Sequence, residues 1–319
     1  MTRVTARKII LDCDPGHDDA IALLVAHGDP RVDLVAVTTV AGNQTIDKIT
    51  RNALAVGRIA GITGVPFARG AERPLVRSPR IAPDIHGDSG LDGPVLPEPV
   101  IELDPRPAAQ LIVDTVMAHP AGAITLVPTG PLTNIALAAR LEPRIVDRVR
   151  EVVLMGGGVG VGNTTAAAEF NIVVDPEAAH VVFDAGWAVT MVGLDLTHQA
   201  IADDAVAERI TAIGTAPARF VGELLDFFRG SYRHVFGFPD GPPVHDACAV
   251  AFVIDPDVMT TRAVPITVEL HGEHTAGMTV ADLRRPALEE CRTRAAVTLD
   301  RDRFWDLVVG AVKGLGDPS

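Results

Sequence analysis

Positive charge is scarce in this chain. Against 41 aspartates and glutamates there are 28 lysines and arginines in 319 residues, a formal charge of −13 at pH 7 and a pI near 5.1. No cluster of basic residues offers the counterion release that a phosphate backbone rewards, so a nucleic-acid partner is not expected. Long apolar runs are missing too. The longest, around residues 32–41 and 188–196, fall short of the roughly 20 residues needed to cross a bilayer, and no membrane span is expected. The N-terminus passes from basic residues into an acidic cluster after only a few apolar ones, unlike a secretory signal. Cysteine is rare: Cys13, Cys248 and Cys291 form an odd set without CxxC spacing, which points away from a disulfide framework and from a zinc site. A cytoplasmic protein is the expectation. The two N-x-S/T sequences, at Asn43 and Asn163, then read as accidental rather than as glycosylation sites.

What is present is a globular composition, 47% hydrophobic and 22% charged. The first half alternates short apolar runs with amphipathic segments. Residues 8–13 and 33–40 read as strands, and residues 18–27 and 46–60 as helices with apolar positions spaced i, i+3, i+4. The pattern returns as a strand at 123–127 and a helix at 132–141, a strand at 151–155, a helix at 177–185 and a strand at 188–193. Such alternation predicts a mostly parallel, twisted α/β sheet with helices on both faces, a Rossmann-like core. Residues 202–234 read as a helical insertion, and Phe304, Leu307, Val308, Ala311, Val312 and Leu315 mark a last helix. Without a linker or internal repeat, one domain over residues 1–319 is expected. Between residues 69 and 107 the alternation gives way to proline and glycine, and the stretch from His86 to Gly93 suggests a lid over a site.

In a parallel sheet, ligands gather beyond the carboxyl ends of the strands. Sorting polar residues by that rule places Asp12, Asp14, Asp18 and Asp19 after the first strand, Asn43 after the second, the Thr129 turn and Gly156-Gly157-Gly158 after later ones, and His245-Asp246 near the other end. Carboxylates this dense repel unless a cation or solvent separates them. An all-oxygen set suits Ca²⁺, although Asp18 and Asp19 could instead serve the start of a helix. The glycine-rich turn lacks the Lys-Ser or Lys-Thr ending of a phosphate-binding loop. Among the histidines, His86, His198 and His245 sit in polar or glycine-adjacent contexts.

Taken together, Ile10-Leu11-Asp12-Cys13-Asp14-Pro15-Gly16-His17-Asp18-Asp19-Ala20, Ala41-Gly42-Asn43, Val127-Pro128-Thr129-Gly130-Pro131-Leu132-Thr133-Asn134, Met155-Gly156-Gly157-Gly158, Ala168-Glu169-Phe170-Asn171 and His245-Asp246 closely resemble the nucleoside hydrolases of the inosine-uridine-preferring group. The resemblance runs over nearly the whole chain. It implies that the enzyme cleaves the N-glycosidic bond of purine and pyrimidine ribonucleosides in a salvage role. It further implies Asp14 as general base, and Ca²⁺ held by Asp14, Asp19, Asp246 and the Thr129 carbonyl. Ribose contacts fall to Asp18, Asn43, Met155, Asn163, Glu169, Asn171 and Asp246, His245 becomes the leaving-group acid with Tyr232 beside it, and His86 is a further substrate contact. A homotetramer or homodimer is implied as well. His17 departs from the aliphatic residue frequent at its position. Two other readings remain open at this level: a phosphohydrolase attacking through Asp12 with Mg²⁺, and a calcium-dependent nucleoside-binding module without chemistry.

Overall fold

The computed structural model describes residues 6–316; residues 1–5 and 317–319 lie outside the described part, Arg3 of the basic N-terminal stretch among them. The chain opens with strand β1 (Arg7–Cys13), helix α1 (His17–Gly28), strand β2 (Val32–Thr39) and helix α2 (Ile46–Ile59). It continues through β3 (Phe67–Arg69), the short α3 (Pro83–His86), α4 (Ala108–Ala118), β4 (Ile124–Pro128), α5 (Thr133–Leu141) and β5 (Glu151–Met155). Then come α6 (Phe170–Val174), α7 (Pro176–Asp184), β6 (Val189–Val192), α8 (Leu194–Thr197), α9 (Asp204–Thr211), α10 (Ala216–Val235) and α11 (Asp246–Ile254). Strands β7 (Met259–Ala263), β8 (Ile266–Val268), β9 (Thr279–Ala281) and β10 (Thr293–Leu299) precede the last helix, α12 (Arg301–Gly314).

Among the described residues, eight strands form one sheet in the order β3-β2-β1-β4-β5-β6-β10-β7, parallel except for β7, while β8 and β9 pair apart from it. Successive side chains of a strand face opposite sides. Ile9 and Leu11 accordingly join one apolar core with α1, α2, α11 and α12, and Ile10 joins the other with α4, α5 and α7. The expected fold class is what the structure has. Helix α1 is sandwiched so fully that every residue from His17 to Ala26 is buried. Because the order reverses on either side of β1, the crevice between the carboxyl ends of β1 and β4 is a topological switch point, the place where such sheets bind ligands.

The helix expected at 202–234 is two helices. Gly214 takes a positive φ of 78°, a conformation glycine adopts freely, and the Thr215 side chain then accepts the Ala218 N–H to start α10. Besides the short α3, α6 and α8, two longer helices escape the sequence reading. Helix α4 follows the proline-rich stretch directly, with Leu111, Ile112 and Val116 at helical spacing. Helix α11 is buried on all sides, so its residues show no period. Residues 87–93 do not form a free flap. The Asp92 carboxylate accepts the N–H groups of Asp88 and Ser89 at 3.0 Å, Asn52 reaches the Ser89 carbonyl at 3.0 Å, and Leu91 is buried. The stretch expected to be a lid is tied to the fold by these bonds, and of it only His86 reaches the cavity lining.

Candidate active site

The strand ends of β1, β2, β4 and β5 converge with the N-termini of α1, α6 and α11 on a cavity of about 330 Å³. Its lining includes Asp18, Asn43, Thr129, Met155, Glu169 and Asn171 at the sheet end. Asn163, His86, Tyr232, His245 and Asp246 complete the part of the sequence-proposed set that lines it, and Phe228, Phe236, residues 80–82 and residues 84 and 85 add a wall that sequence did not single out. Asp14 and Asp19 are fully buried beneath this lining.

Asp14 follows β1 directly and is seated between two glycines. A side chain on Gly42 would collide with its Oδ2, and one on Gly130 with its Oδ1. The Asn43 backbone N–H donates to Oδ2 at 2.7 Å, while Oδ1 is buried without a partner. Asp19, at the start of α1, accepts the Thr129 hydroxyl at 2.8 Å and the backbone N–H groups of Asp14 and Gly16 at 3.2 Å. The Asn43 amide ties the two together, donating to the Asp14 carbonyl at 3.1 Å and to Asp19 Oδ2 at 3.2 Å. Asn43 is buried at this junction, so its glycosylation sequence is accidental as expected.

Helices α1 and α11 pack together with their N-termini side by side, which brings one oxygen each of Asp18, Asp19 and Asp246 within 4.8 Å of one another. Burial, reinforced by mutual repulsion, pushes the carboxyls of Asp14 and Asp246 well above the usual range and that of Asp18 up to about 7. Asp19 is also raised, chiefly by burial. Among the described residues no lysine or arginine pairs with any of the four. Orphaned Oδ1, clustered oxygens and the absence of a protein cation fit a hard divalent ion. The tightest triad contains Asp18 where the sequence set had Asp14; the two sets share Asp19 and Asp246. The Thr129 carbonyl faces the same crevice and accepts the Asn171 amide at 2.7 Å.

Glu169 starts α6, its carboxylate accepting the N–H groups of Asn171 and Gly157 at 2.9 Å, and burial lifts its pKa to about 7. Asn171 also reaches the Met155 carbonyl at 3.2 Å, and Asn163 Oδ1 accepts the Phe170 N–H at 2.9 Å. On the opposite wall His245 Nδ1 lies 2.7 Å from the Thr197 hydroxyl and Nε2 2.7 Å from the Tyr232 hydroxyl. Burial lowers the His245 pKa to about 3, so the resting ring is neutral. Nothing in the sequence marked Thr197. His198 stays apart from the lining and meets the His245 ring edge-on at 5.7 Å.

Asp12 is no nucleophile. It is fully buried and absent from the cavity lining, with Oδ1 accepting the Thr38 hydroxyl at 2.6 Å and the Asn134 amide at 2.8 Å and Oδ2 buried without a partner, so the phosphohydrolase reading has no nucleophile at the site.

A family model described as inosine-uridine preferring nucleoside hydrolase matches residues 9–306. The inosine-uridine preferring nucleoside hydrolase of Crithidia fasciculata is 57% identical over 98% of this chain and 99% of its own length. A pyrimidine-specific ribonucleoside hydrolase of Shewanella woodyi is 47% identical over 96% of this chain and 98% of its own length. Among solved structures, the purine-preferring ribonucleoside hydrolase of Gardnerella vaginalis superposes with a TM-score of 0.91 at 32% identity, covering 97% of this chain and 99% of that one. The chain belongs to the inosine-uridine preferring nucleoside hydrolase family and is a nucleoside hydrolase. These relatives carry different base preferences in their names on one scaffold, so the fold alone does not set the base.

Proposed function

We propose that the enzyme hydrolyses the N-glycosidic bond of both purine and pyrimidine ribonucleosides, inosine and uridine among them, in cytoplasmic salvage, with Ca²⁺ held by Asp14, Asp19, Asp246 and the Thr129 carbonyl. The observation that carries this reading is the unpartnered Oδ1 of Asp14 beneath a floor of buried carboxylates, with aromatic rings on the facing wall of the same cavity. The three cysteines are unpaired, as a reducing compartment would leave them.

The cation would supply Lewis acidity, lowering the pKa of a water bound in the floor. Asp14 takes the proton of the attacking water, since its unpartnered oxygen is the basic atom left over in the cradle. Asp18, Asn43, Glu169 and Asn171 present oxygens and amides to the ribose hydroxyls, and Asn163 and Met155 close that end. Breaking the C–N bond leaves positive charge on the sugar, which the surrounding carboxylates stabilise as it develops. A deoxyribonucleoside would leave some of these buried groups unpaired and should be rejected.

The base departs toward the wall of Phe228, Tyr232 and Phe236. The Thr197–His245–Tyr232 chain reaches it with alternating donors and acceptors: the Thr197 hydroxyl donates to Nδ1, Nε2–H donates to the Tyr232 oxygen, and the Tyr232 hydroxyl donates onward to the base. The neutral His245 thereby orients the Tyr232 hydroxyl, which hydrogen-bonds to the departing base as negative charge develops on it, a positioning role in place of the acid role expected from sequence.

A panel of ribonucleosides and their 2′-deoxy counterparts, assayed for released reducing sugar, tests the reading. Ribose from inosine and uridine, and none from the deoxy series, is the expected outcome. Activity confined to one base class would restrict the substrate range, and nucleoside binding without sugar release would restore the binding-module alternative.

A further inference from the structure

The turn that leaves β5 is held by side chains from three other parts of the chain. The backbone N–H groups of residues 157–160 belong to no strand or helix, and each meets a side-chain oxygen. Gly157 donates to Glu169 at 2.9 Å, Gly158 to the Thr279 hydroxyl at 2.9 Å, and Val159 and Gly160 to the Asp195 carboxylate at 2.6 and 3.0 Å. Thr279 makes a second bond here, its hydroxyl donating to the Gly158 carbonyl at 2.6 Å. Gly157 takes a positive φ of 73°, and a Cβ there would lie 2.8 Å from both Cγ2 and Oγ1 of Thr279, so the turn sits directly on the threonine. Glu169 lines the cavity, whereas the fully buried Thr279 does not.

Thr279 opens β9, the second strand of the hairpin that pairs apart from the main sheet. The same hairpin touches the other support of Glu169. Gly277, with a φ of 86°, abuts α6, where a Cβ would lie 2.8 Å from the Val173 Cα. Glu169 caps the start of α6, and the N–H groups of Asn171 and Ile172 hold its carboxylate at 2.9 and 3.2 Å. The glycine turn and α6, which together fix this carboxylate, therefore both rest on one hairpin.

We propose that Thr279 is a positioning residue for the sugar: by fixing the Gly157-Gly158 turn it sets where the Glu169 carboxylate stands in the cavity. This rests on the nucleoside-hydrolase reading, in which Glu169 meets a ribose hydroxyl. A threonine hydroxyl can accept the Gly158 N–H and donate to the Gly158 carbonyl at once. Valine has the same shape and can do neither, so Thr279→Val strands two polar groups of a buried residue. The turn then moves to find other partners, and the Gly157 N–H, next in the chain, draws Glu169 with it.

Thr279→Val should lower kcat/KM for inosine roughly ten- to a hundredfold, the cost of a group misplaced by about 1 Å. Thr279→Ser keeps the hydroxyl and should stay within about twofold of wild type. A double-mutant cycle with Glu169→Ala separates positioning from general support of the fold. Once Glu169→Ala has removed the carboxylate, Thr279→Val should cost less than about twofold more. An equal loss in both backgrounds, an unimpaired Thr279→Val, or a Thr279→Ser as impaired as Thr279→Val would overturn the proposal. Where Thr279→Val does not fold, Thr279→Ala takes its place in the cycle, its smaller side chain leaving room for a bridging water.

Crystal structures of the same variants read the positioning without turnover. Glu169 should be out of hydrogen-bond reach of the Gly157 N–H in Thr279→Val and remain at 2.9 Å in Thr279→Ser. An unmoved carboxylate would overturn the proposal even in an enzyme that hydrolyses nucleosides. A displaced carboxylate in a protein whose wild type releases no ribose would uphold the role of Thr279 and remove the substrate reading instead.

Discussion

The Asn43 backbone N–H holds one oxygen of Asp14 at 2.7 Å and leaves the other without a partner. The same residue's side-chain amide spans the Asp14 carbonyl and the Asp19 carboxylate. Asp14 is thus oriented from the backbone of β2's exit loop while its free oxygen stays available. Asp14→Ala removes a base but no packed apolar group. We expect kcat to fall by at least the ~10²–10⁴ of a lost general base. The metal-free melting temperature should hold or rise, because one buried charge leaves the cluster. A variant that turns over inosine at the wild-type rate would remove Asp14 from the chemistry.

Chelation should act on stability and turnover together. Four buried carboxylates without a protein counter-cation destabilise the fold when ionised, and an ion bound only by the folded state stabilises it by about 2.7 kcal/mol at a hundred times its Kd. Calorimetric melts in EDTA and across a calcium titration should therefore show a concentration-dependent rise in Tm that tracks recovered activity. A flat Tm across the titration would falsify the metal assignment.

The hydrogen-bond chain on the aromatic wall makes a leaving-group prediction. Tyr232→Phe breaks the last donor, and His245→Ala breaks the link behind it. Each should slow inosine hydrolysis by roughly 10²–10³, the loss of one hydrogen-bond donor to developing charge, while largely sparing a nitrophenyl riboside, whose leaving group carries its charge without such help. Equal losses on both substrates would instead point to disturbed support of Asp246, the next residue along.

Asn134 is a structural lock. Its amide donates to Asp12 at 2.8 Å and to the Thr39 carbonyl at 2.9 Å, both out of water, and its oxygen accepts the half-buried Ala71 N–H at 2.9 Å. Asn134→Ala strands these partners and should cost about 2 kcal/mol or more. Urea unfolding measures it, and a change below about 0.5 kcal/mol would mean that water replaces the amide.

Glu169 gives a pH signature. Its folded pKa, lifted by burial to about 7, lies above the ordinary 4.5, so between those values the folded state holds more protons than the unfolded one. Stability contributed by this group therefore falls as pH rises from about 4.5 to about 7. Glu169→Gln should flatten the slope in that window relative to wild type, whatever its effect on absolute stability, and identical slopes by urea titration would reject the shift.

The strand exits were the legible part of the sequence. Asp14, Asn43, Thr129 and Met155 follow apolar runs directly, and the ends of parallel strands converge whatever loops lie between. Glu169 and Asp246 were only loosely placed by that rule and gained their roles from the family's motifs, since both stand at helix starts whose helices gave little periodic signal. The aromatic wall was partly hidden. Phe228 and Tyr232 share a helix face, but that α10 turns this face toward the cavity depends on the break at Gly214. Thr197 beside His245 and His17 beside His86 depend on contacts between segments 48 and 69 residues apart, which no local pattern encodes. The bracing of residues 87–93 by Asn52 was unreadable for the same reason.

Tyr232 is the only tyrosine in the chain, and it stands on the cavity wall with its hydroxyl bonded to a histidine. The site therefore carries its own optical label. Tyrosine absorption, phenolic Raman bands or the resonance of a single fluorinated tyrosine come from one ring, with both tryptophans, Trp187 and Trp305, buried in the apolar cores away from it. Occupancy of the cavity can be followed in the unmodified enzyme without attaching a probe, and slow or silent substrates can be ranked by how they perturb one phenol.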